Sequence, residues 1–301
     1  MPIELGSPRA LGNQLREKAI RKISCVVALL LSDEETIDKR IHETRKAVKR
    51  LRAVLRALGT TISGSDFAVI DASLADVGRQ LAPLRAARAI SDTLVMVNRG
   101  FAHDQPELAE RMSQALLQHS ANVKQQSCLP DRLQGACDAL LATSDRISLL
   151  KTESCSWSVV SFALTNTYRQ ARRRFRKALR TDDAEDFHAS RRATKHHLHH
   201  LELLRPMWPE ILEAEAEKAH DLADILGEDH DLADLKALIP ELPMELESDE
   251  HQVVHRAIEI AVRKRRDRAE PIAARLFAES ARAWEARHTA YFTAWRAESK
   301  E

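Results

Sequence analysis

Two segments of the sequence carry histidine and basic residues at the same spacing, in a pattern suited to binding phosphate groups. Each segment reads histidine, two residues, two basic residues, two residues and a lysine. The two copies comprise His42, Arg45, Lys46 and Lys49, and His188, Arg191, Arg192 and Lys195. Arginine offers paired N–H donors to phosphate oxygens, lysine is a compact positive charge, and histidine becomes charged as the pH falls through about 6.5. One copy lies in each half of the chain, which predicts two similar surfaces facing one polyanion.

On helices, both segments form a cationic face backed by apolar residues, because each residue turns a helix by about 100°. The first face comprises His42, Arg45, Lys46, Lys49 and Arg56, with Arg50 and Arg52 at its flanks. The second face comprises His188, Arg191, Arg192, Lys195 and His199, with His196 at its edge. Glu43 is the sole acid between positions 42 and 56, so like charges repel one another unless an anion is bound. This repulsion favours a polyanion site over an ordinary solvated helix face.

A third cationic segment, at 168–180, precedes the second copy of the motif. One side of its helix carries Arg169, Arg173, Arg176 and Arg180. The corresponding part of the first half is less basic, so we expect the second half to contribute more charge to the polyanion site. The run at 263–266 is also basic, but its cations point in all directions around a helix, which is typical of a solvated surface.

The composition predicts an all-helical protein. The net charge does not indicate the kind of partner. The 301 residues include 46 Lys and Arg against 45 Asp and Glu, a formal net charge of +1, so only the clustering of the cations bears on the partner. Aromatic residues make up 4% of the chain, too few to predict stacking platforms for single-stranded nucleic acid among the cations. No Asn or Gln accompanies the basic faces to read base edges. The ligand is therefore expected to be bare phosphate.

The sequence also favours a cytoplasmic location. Met1–Leu5 lacks the basic and apolar regions of a signal peptide, and the longest apolar stretch, near 23–31, is too short to span a bilayer. The four cysteines show no zinc-ligand spacing and are expected to be free thiols in a reducing compartment. They are Cys25, Cys128, Cys137 and Cys155.

Helical periodicity punctuated by prolines predicts twelve helices and no strand, arranged as a bundle or a pair of bundles. The C-terminal part is expected to contain helices at 209–226, 229–239, 249–268 and 271–297. The segment Leu81-Ala82-Pro83-Leu84-Arg85 aligns with Leu226-Gly227-Glu228-Asp229-His230 at nearly the offset of the basic motifs. Two matches at nearly one offset predict an internal duplication with halves 1–150 and 151–301.

Together these motifs resemble the CHAD family, the conserved-histidine α-helical domain, over nearly the whole chain. The resemblance implies one domain over 1–301, in which two pseudo-symmetric helical bundles enclose a basic central groove or pore. It also implies binding of inorganic polyphosphate and association with polyphosphate granules. Arg85 and His230, at equivalent positions of the two halves, would join the groove. The His-rich run 196–200 implies that binding strengthens as the pH falls from 8 to 6.

No cofactor is predicted, and no enzyme, because the chain has no paired acids, P-loop or cysteine nucleophile signature. Two alternatives remain open. Phosphate contacts alone would also give weak, sequence-independent binding of nucleic acid. His196 and His200, four residues apart on a helix, could chelate a transition metal. At His188, by contrast, Arg191, Arg192 and Lys195 share its face and would repel a cation. Protein partners cannot be predicted from these motifs.

Overall fold

The fold is all-α, as predicted. The structure, a computed structural model, describes residues 3–32, 34–81, 83–125 and 129–299, apart from the side chains of 83–88 and 122–125, and its described part contains helices and no strand. The helices are α1 Leu11–Leu31, α2 Ile37–Ala57, α3 Gly64–Gln80, α4 Pro83–Asn98, α5 Pro106–Gln125, α6 Leu129–Ser148, α7 Trp157–Thr181, α8 Ala184–Leu204, α9 Pro209–Leu238, α10 Ser248–Leu276 and α11 Ala281–Glu298. Short 3₁₀ turns follow α2, α8 and α9. No described helix has an apolar stretch long enough to cross a membrane.

Side chains at the first turns define where several helices begin. Ser63 accepts a hydrogen bond from the backbone N–H of Asp66 at 3.0 Å, and Asp183 accepts one from Asp186 at 3.0 Å. Thr36 and Ser280 cap α2 and α11 in the same way. Each cap satisfies a backbone donor that has no partner inside the helix. The two helices that carry the basic motifs, α2 and α8, are therefore both capped at their N-termini.

Two hydrophobic cores organise the helices, and neither is confined to one half of the chain. The larger core joins α1, α2, α3 and α6 to α7, α8, α11, the first part of α9 and the last turns of α10. The smaller core joins α4 and α5 to the second part of α9 and the first part of α10. At the centre, α2 packs against both α7 and α8. The two halves thus share their cores, and the two motif helices lie side by side.

The order of helices is parallel in the two halves. α1 and α7 precede the motif helices, and α6 and α11 close the two halves by packing against α1 and α7 respectively. The 30 residues of α9 occupy the place that α3 and α4 share in the first half. This order agrees with an internal duplication, which stays a prediction.

Two predicted helix boundaries in the C-terminal part are wrong. The helices expected at 209–226 and 229–239 form the continuous α9, because the burial of Leu226 and Leu232 on either side of Gly227 offsets the roughly 1 kcal/mol that a glycine costs inside a helix. α10 continues through Pro271 and ends at Leu276. Its last turns bury Ala269 and Ala273 in the larger core, so packing overrides the tendency of proline to end a helix.

We predict that Gly12→Ala destabilises the protein by about 3 kcal/mol, at the upper end of the cost of overpacking. A Cβ at this buried position of α1 would lie 2.0 Å from the carbonyl oxygen of Thr152 and 2.6 Å from the Cβ of Cys155. The matched control is Gly64→Ala in α3, where a Cβ meets no atom within 4 Å. Urea unfolding should show a lower midpoint for the first variant alone. Equal midpoints for the two variants would contradict the close contact of α1 with residues 152–155.

Candidate functional site

Four basic side chains from α2 and α8 converge where these helices pack together. Arg45 and Lys49 come from α2, and Arg191 and Lys195 come from α8; we call these four residues the cationic cluster. Burial, reinforced by the positive charges of the other three, lowers the pKa of Lys49 to about 8. Burial and the charge of Arg191 likewise lower the pKa of Arg45. The charges of the other three cations thus disfavour the charged form of Lys49, which places them close enough to repel it.

The cationic cluster is only partly neutralised by its surroundings. Lys195 forms an ion pair with Asp224 of α9 at 3.0 Å, and Asp224 also contacts His220 at 2.9 Å. Arg45 donates to the carbonyl oxygen of Gly78 at 2.6 Å. The ammonium of Lys49 has no hydrogen bond or ion pair with any described residue. The groups that perturb its pKa include three cations and a single acid, Asp224. The cluster can therefore bind anionic oxygens.

Two predicted site histidines, one from the second basic motif and one from α9, lie beside the cluster, and both are neutral. The rings of His188 in α8 and His230 in α9 have their centroids 3.9 Å apart. Burial lowers the pKa of both histidines to about 4, and each is further disfavoured as a cation by neighbours that include Arg191. The expectation that these histidines become charged between pH 8 and 6 is therefore wrong. A neutral imidazole still has one N–H that can donate to a phosphate oxygen.

Arg50, expected at the flank of the phosphate-binding face, instead forms a buried ion pair between α2 and α8. It is 7% exposed and donates to both carboxylate oxygens of Glu202, at 3.1 and 3.2 Å. Burial would raise the pKa of Glu202, but hydrogen bonds from His199 and Arg50 outweigh it and lower this pKa to about 2. The guanidinium of Arg50 is therefore occupied by a structural partner.

Arg52 and Arg56 are likewise held by an acid, this time between α2 and α3. Arg52 donates to both carboxylate oxygens of Asp71 at 2.8 Å, and Arg56 lies 3.4 Å from the same carboxylate. Burial would raise the pKa of Asp71, but the two guanidinium groups lower it below its usual value. These arginines connect two helices of the larger core, and their place in a phosphate-binding face stays a prediction.

The histidines at 196–200 are largely buried and do not form an anion-binding surface. Burial, with Arg56 and Arg52 nearby, lowers the pKa of His196 to about 2. The Nδ1–H of His199 donates to Glu202 at 2.9 Å, and the Nε2–H of His200 donates to the carbonyl oxygen of Ala53 at 2.9 Å. The prediction that His196 and His199 bind the polyanion is therefore wrong. No group of three His, Cys, Asp or Glu among the residues that the structure describes could hold a metal ion.

The arginines of α7 lie on a surface of their own. Arg169, Arg173, Arg176 and Arg180 are all exposed. The face of α7 that packs into the core carries Tyr168, Ala171, Phe175 and Ala178, on the opposite side of the helix. The groups that perturb the cationic cluster and its two histidines come instead from α2, α8 and α9. The expectation that α7 reinforces the central site is therefore not met.

The remaining predicted residues lie at the edges of the site or outside the described residues. His42 is half exposed and lines a cleft of 690 Å³ between α2, α4, α9 and α10. Lys46 is partly exposed and makes no hydrogen bond or ion pair with a described residue. Arg192 is exposed and pairs with Glu185 at 3.1 Å. Arg85 falls among the side chains that the structure does not describe.

Asp224 and Asp234, which the motifs did not indicate, are acids that lie beside the basic residues of the site. Asp224 pairs with Lys195, and Asp234 lies 3.5 Å from His230 at the next turn of α9. Burial raises the pKa of Asp234, against the lowering effect of His188 and Arg191. The four-residue spacing of Asp234 from His230 was a usable signal. No spacing in the sequence could indicate Asp224, because its partner Lys195 is on another helix.

The chain is similar to a known domain family and to one crystal structure of that domain. The family model described as the CHAD domain matches residues 14–240. A crystal structure of the CHAD domain from the plant Ricinus communis shares 16% sequence identity with this chain, with a TM-score of 0.49, over 93% of this chain and 96% of that one. No curated protein matches the chain.

We predict that Glu202→Gln lowers the free energy of unfolding by about 3–5 kcal/mol, because it leaves the buried guanidinium of Arg50 without a counter-charge. The matched control is Glu213→Gln, which removes a carboxylate that is 55% exposed and pairs with Arg205 at 3.2 Å. That control should cost no more than about 1 kcal/mol. Chemical unfolding of both variants measures the difference, and equal losses would contradict a structural role for Arg50.

Proposed function

Because this chain belongs to the CHAD domain family, we propose that it binds inorganic polyphosphate between α2 and α8 without converting it. The observation that supports this function is the cationic cluster, in which Lys49 is half-buried among three other cations. Cations held together in this way raise the free energy of the empty protein, and an anion that enters between them relieves the repulsion. A polyphosphate chain supplies several anionic groups to one site.

The surroundings of the cluster suit phosphate oxygens. Arg45 and Arg191 can each present two N–H groups to one phosphate, and Lys49 and Lys195 add compact charges. His188 and His230, which are neutral, can each donate one hydrogen bond. Since Lys195 is also bound to Asp224, this acid can hold the lysine in place beside the ligand. In our proposal these residues bind and orient phosphates, and the protein acts in the cytoplasm at polyphosphate granules.

We predict that the double substitution Lys49→Ala and Arg191→Ala weakens the binding of polyphosphate by at least about 100-fold, since each charged hydrogen bond contributes roughly 1.5–3 kcal/mol. The matched control is Arg263→Ala with Lys264→Ala, which removes two exposed cations of α10. Binding of a labelled polyphosphate at fixed salt compares the variants. Equal affinities for both double variants, or retained tight binding in the first, would contradict the proposed site. Unfolding should be unchanged or more difficult in the first variant, because repulsion is relieved.

We predict that the affinity for polyphosphate rises as the pH falls from 9 to 7 and then levels off. Lys49, with a pKa of about 8 in the free protein, is protonated on the acidic side of this range, and the charged form binds phosphate. One titrating group changes the affinity by at most about tenfold per pH unit. In Lys49→Arg the side chain stays charged, so the response should become flat. A flat response of the unchanged protein, or an unaltered response in the variant, would contradict this role of Lys49.

A further inference from the structure

The outer face of α7 is a strongly charged surface that the proposed function does not use. α7 contains seven basic residues and no acid between Trp157 and Thr181. Its solvent-facing line carries Arg169, Arg173, Arg176 and Arg180, which we call the arginine face. Their spacing of three or four residues places like charges one turn apart, where they destabilise the helix. A ligand of opposite charge would remove this cost.

The arginine face is almost without internal counter-charges. Arg173, Arg176 and Arg180 form no hydrogen bond or ion pair with any described residue. Arg169 donates to the side-chain oxygen of Asn166, a neutral group. Two acids close to the end of α7 are paired elsewhere: Asp186 with Lys177 at 2.7 Å, and Asp182 with Arg266 at 2.7 Å. The guanidinium groups of the face are therefore available to an external partner.

An exposed aromatic side chain extends the same line. Phe162 is 56% exposed and precedes Arg169 by seven residues, about two helical turns, so both side chains lie on one side of α7. It has no ring contact within the described part of the protein. An exposed phenyl ring at the end of a row of arginines combines the two elements of single-strand recognition, a stacking surface and a cationic track.

We propose that the outer face of α7 binds single-stranded nucleic acid without sequence preference, as a site separate from the cationic cluster. The arginines contact successive phosphates, and Phe162 stacks on a base. The line from Phe162 to Arg180 is about 27 Å long at the rise of an α-helix, long enough to contact several nucleotides of a single strand.

Phe162 favours nucleic acid over the other anionic partners. A bare polyphosphate has no base or other flat group that could contact a phenyl ring. An acidic lipid surface would favour apolar residues distributed along the helix, whereas the rest of this line carries Asn166 and then arginines. The partner must therefore carry both phosphates and flat apolar groups.

The proposal is tested by the fluorescence anisotropy of a labelled 12-nucleotide oligothymidylate at several salt concentrations. Replacing Arg173, Arg176 and Arg180 with Gln should weaken binding and reduce the salt slope by about 2, since each lost phosphate contact on a single strand removes about 0.7. Phe162→Ala should weaken binding roughly fivefold or more. It should leave the binding of an abasic oligonucleotide of the same length unchanged. These exposed positions allow circular dichroism to confirm that the variants fold.

The double substitution Lys49→Ala and Arg191→Ala separates this site from the polyphosphate site. It should leave oligothymidylate binding unchanged, whether or not the protein binds polyphosphate. The proposal is overturned if this variant loses oligonucleotide binding, or if Phe162→Ala binds oligothymidylate as tightly as the unchanged protein. Binding to phosphatidylserine vesicles with no binding to the oligonucleotide would also overturn it, in favour of a lipid surface.

Discussion

The repulsion between cations on α2 and α8 is the constraint on which the rest of this structure depends. These helices would separate at the cationic cluster if nothing else held them together. They are held by the larger core, by the buried pair of Arg50 and Glu202, and by the hydrogen bond from His200 to the carbonyl oxygen of Ala53. The apolar core, the ion pair and the hydrogen bond thus hold α2 and α8 together, although the cations of the cluster repel one another.

In this arrangement the residues of the basic motifs have other roles than the sequence predicted. Half of the repeated positions, Arg45, Lys49, Arg191 and Lys195, supply the charge, whereas His188 and His230 are neutral donors with pKa values near 4. The burial that lowers the histidine pKa values also lowers the pKa of Lys49 to about 8. Lys49 therefore responds to pH near neutrality, whereas His188 and His230, which were expected to respond, stay neutral.

The helical class and the two cationic faces could be predicted from the sequence, because both follow from local periodicity. The role of each cation could not be predicted, because it depends on partners from distant segments of the chain. Arg50 and Lys49 are adjacent, but Arg50 points to Glu202, 152 residues away, while Lys49 points to other cations. The continuity of α9 and the passage of α10 through Pro271 depend equally on burial against other helices.

The most direct test of the cationic cluster is the number of protons taken up when polyphosphate binds, measured by calorimetry in buffers of different ionisation enthalpies. Lys49, with a pKa of about 8, is about half protonated at pH 8, and bound phosphates would raise its pKa. The protein should then take up roughly half a proton at pH 8 and almost none at pH 6. Binding at pH 8 with no proton uptake, or with proton release, would contradict the account.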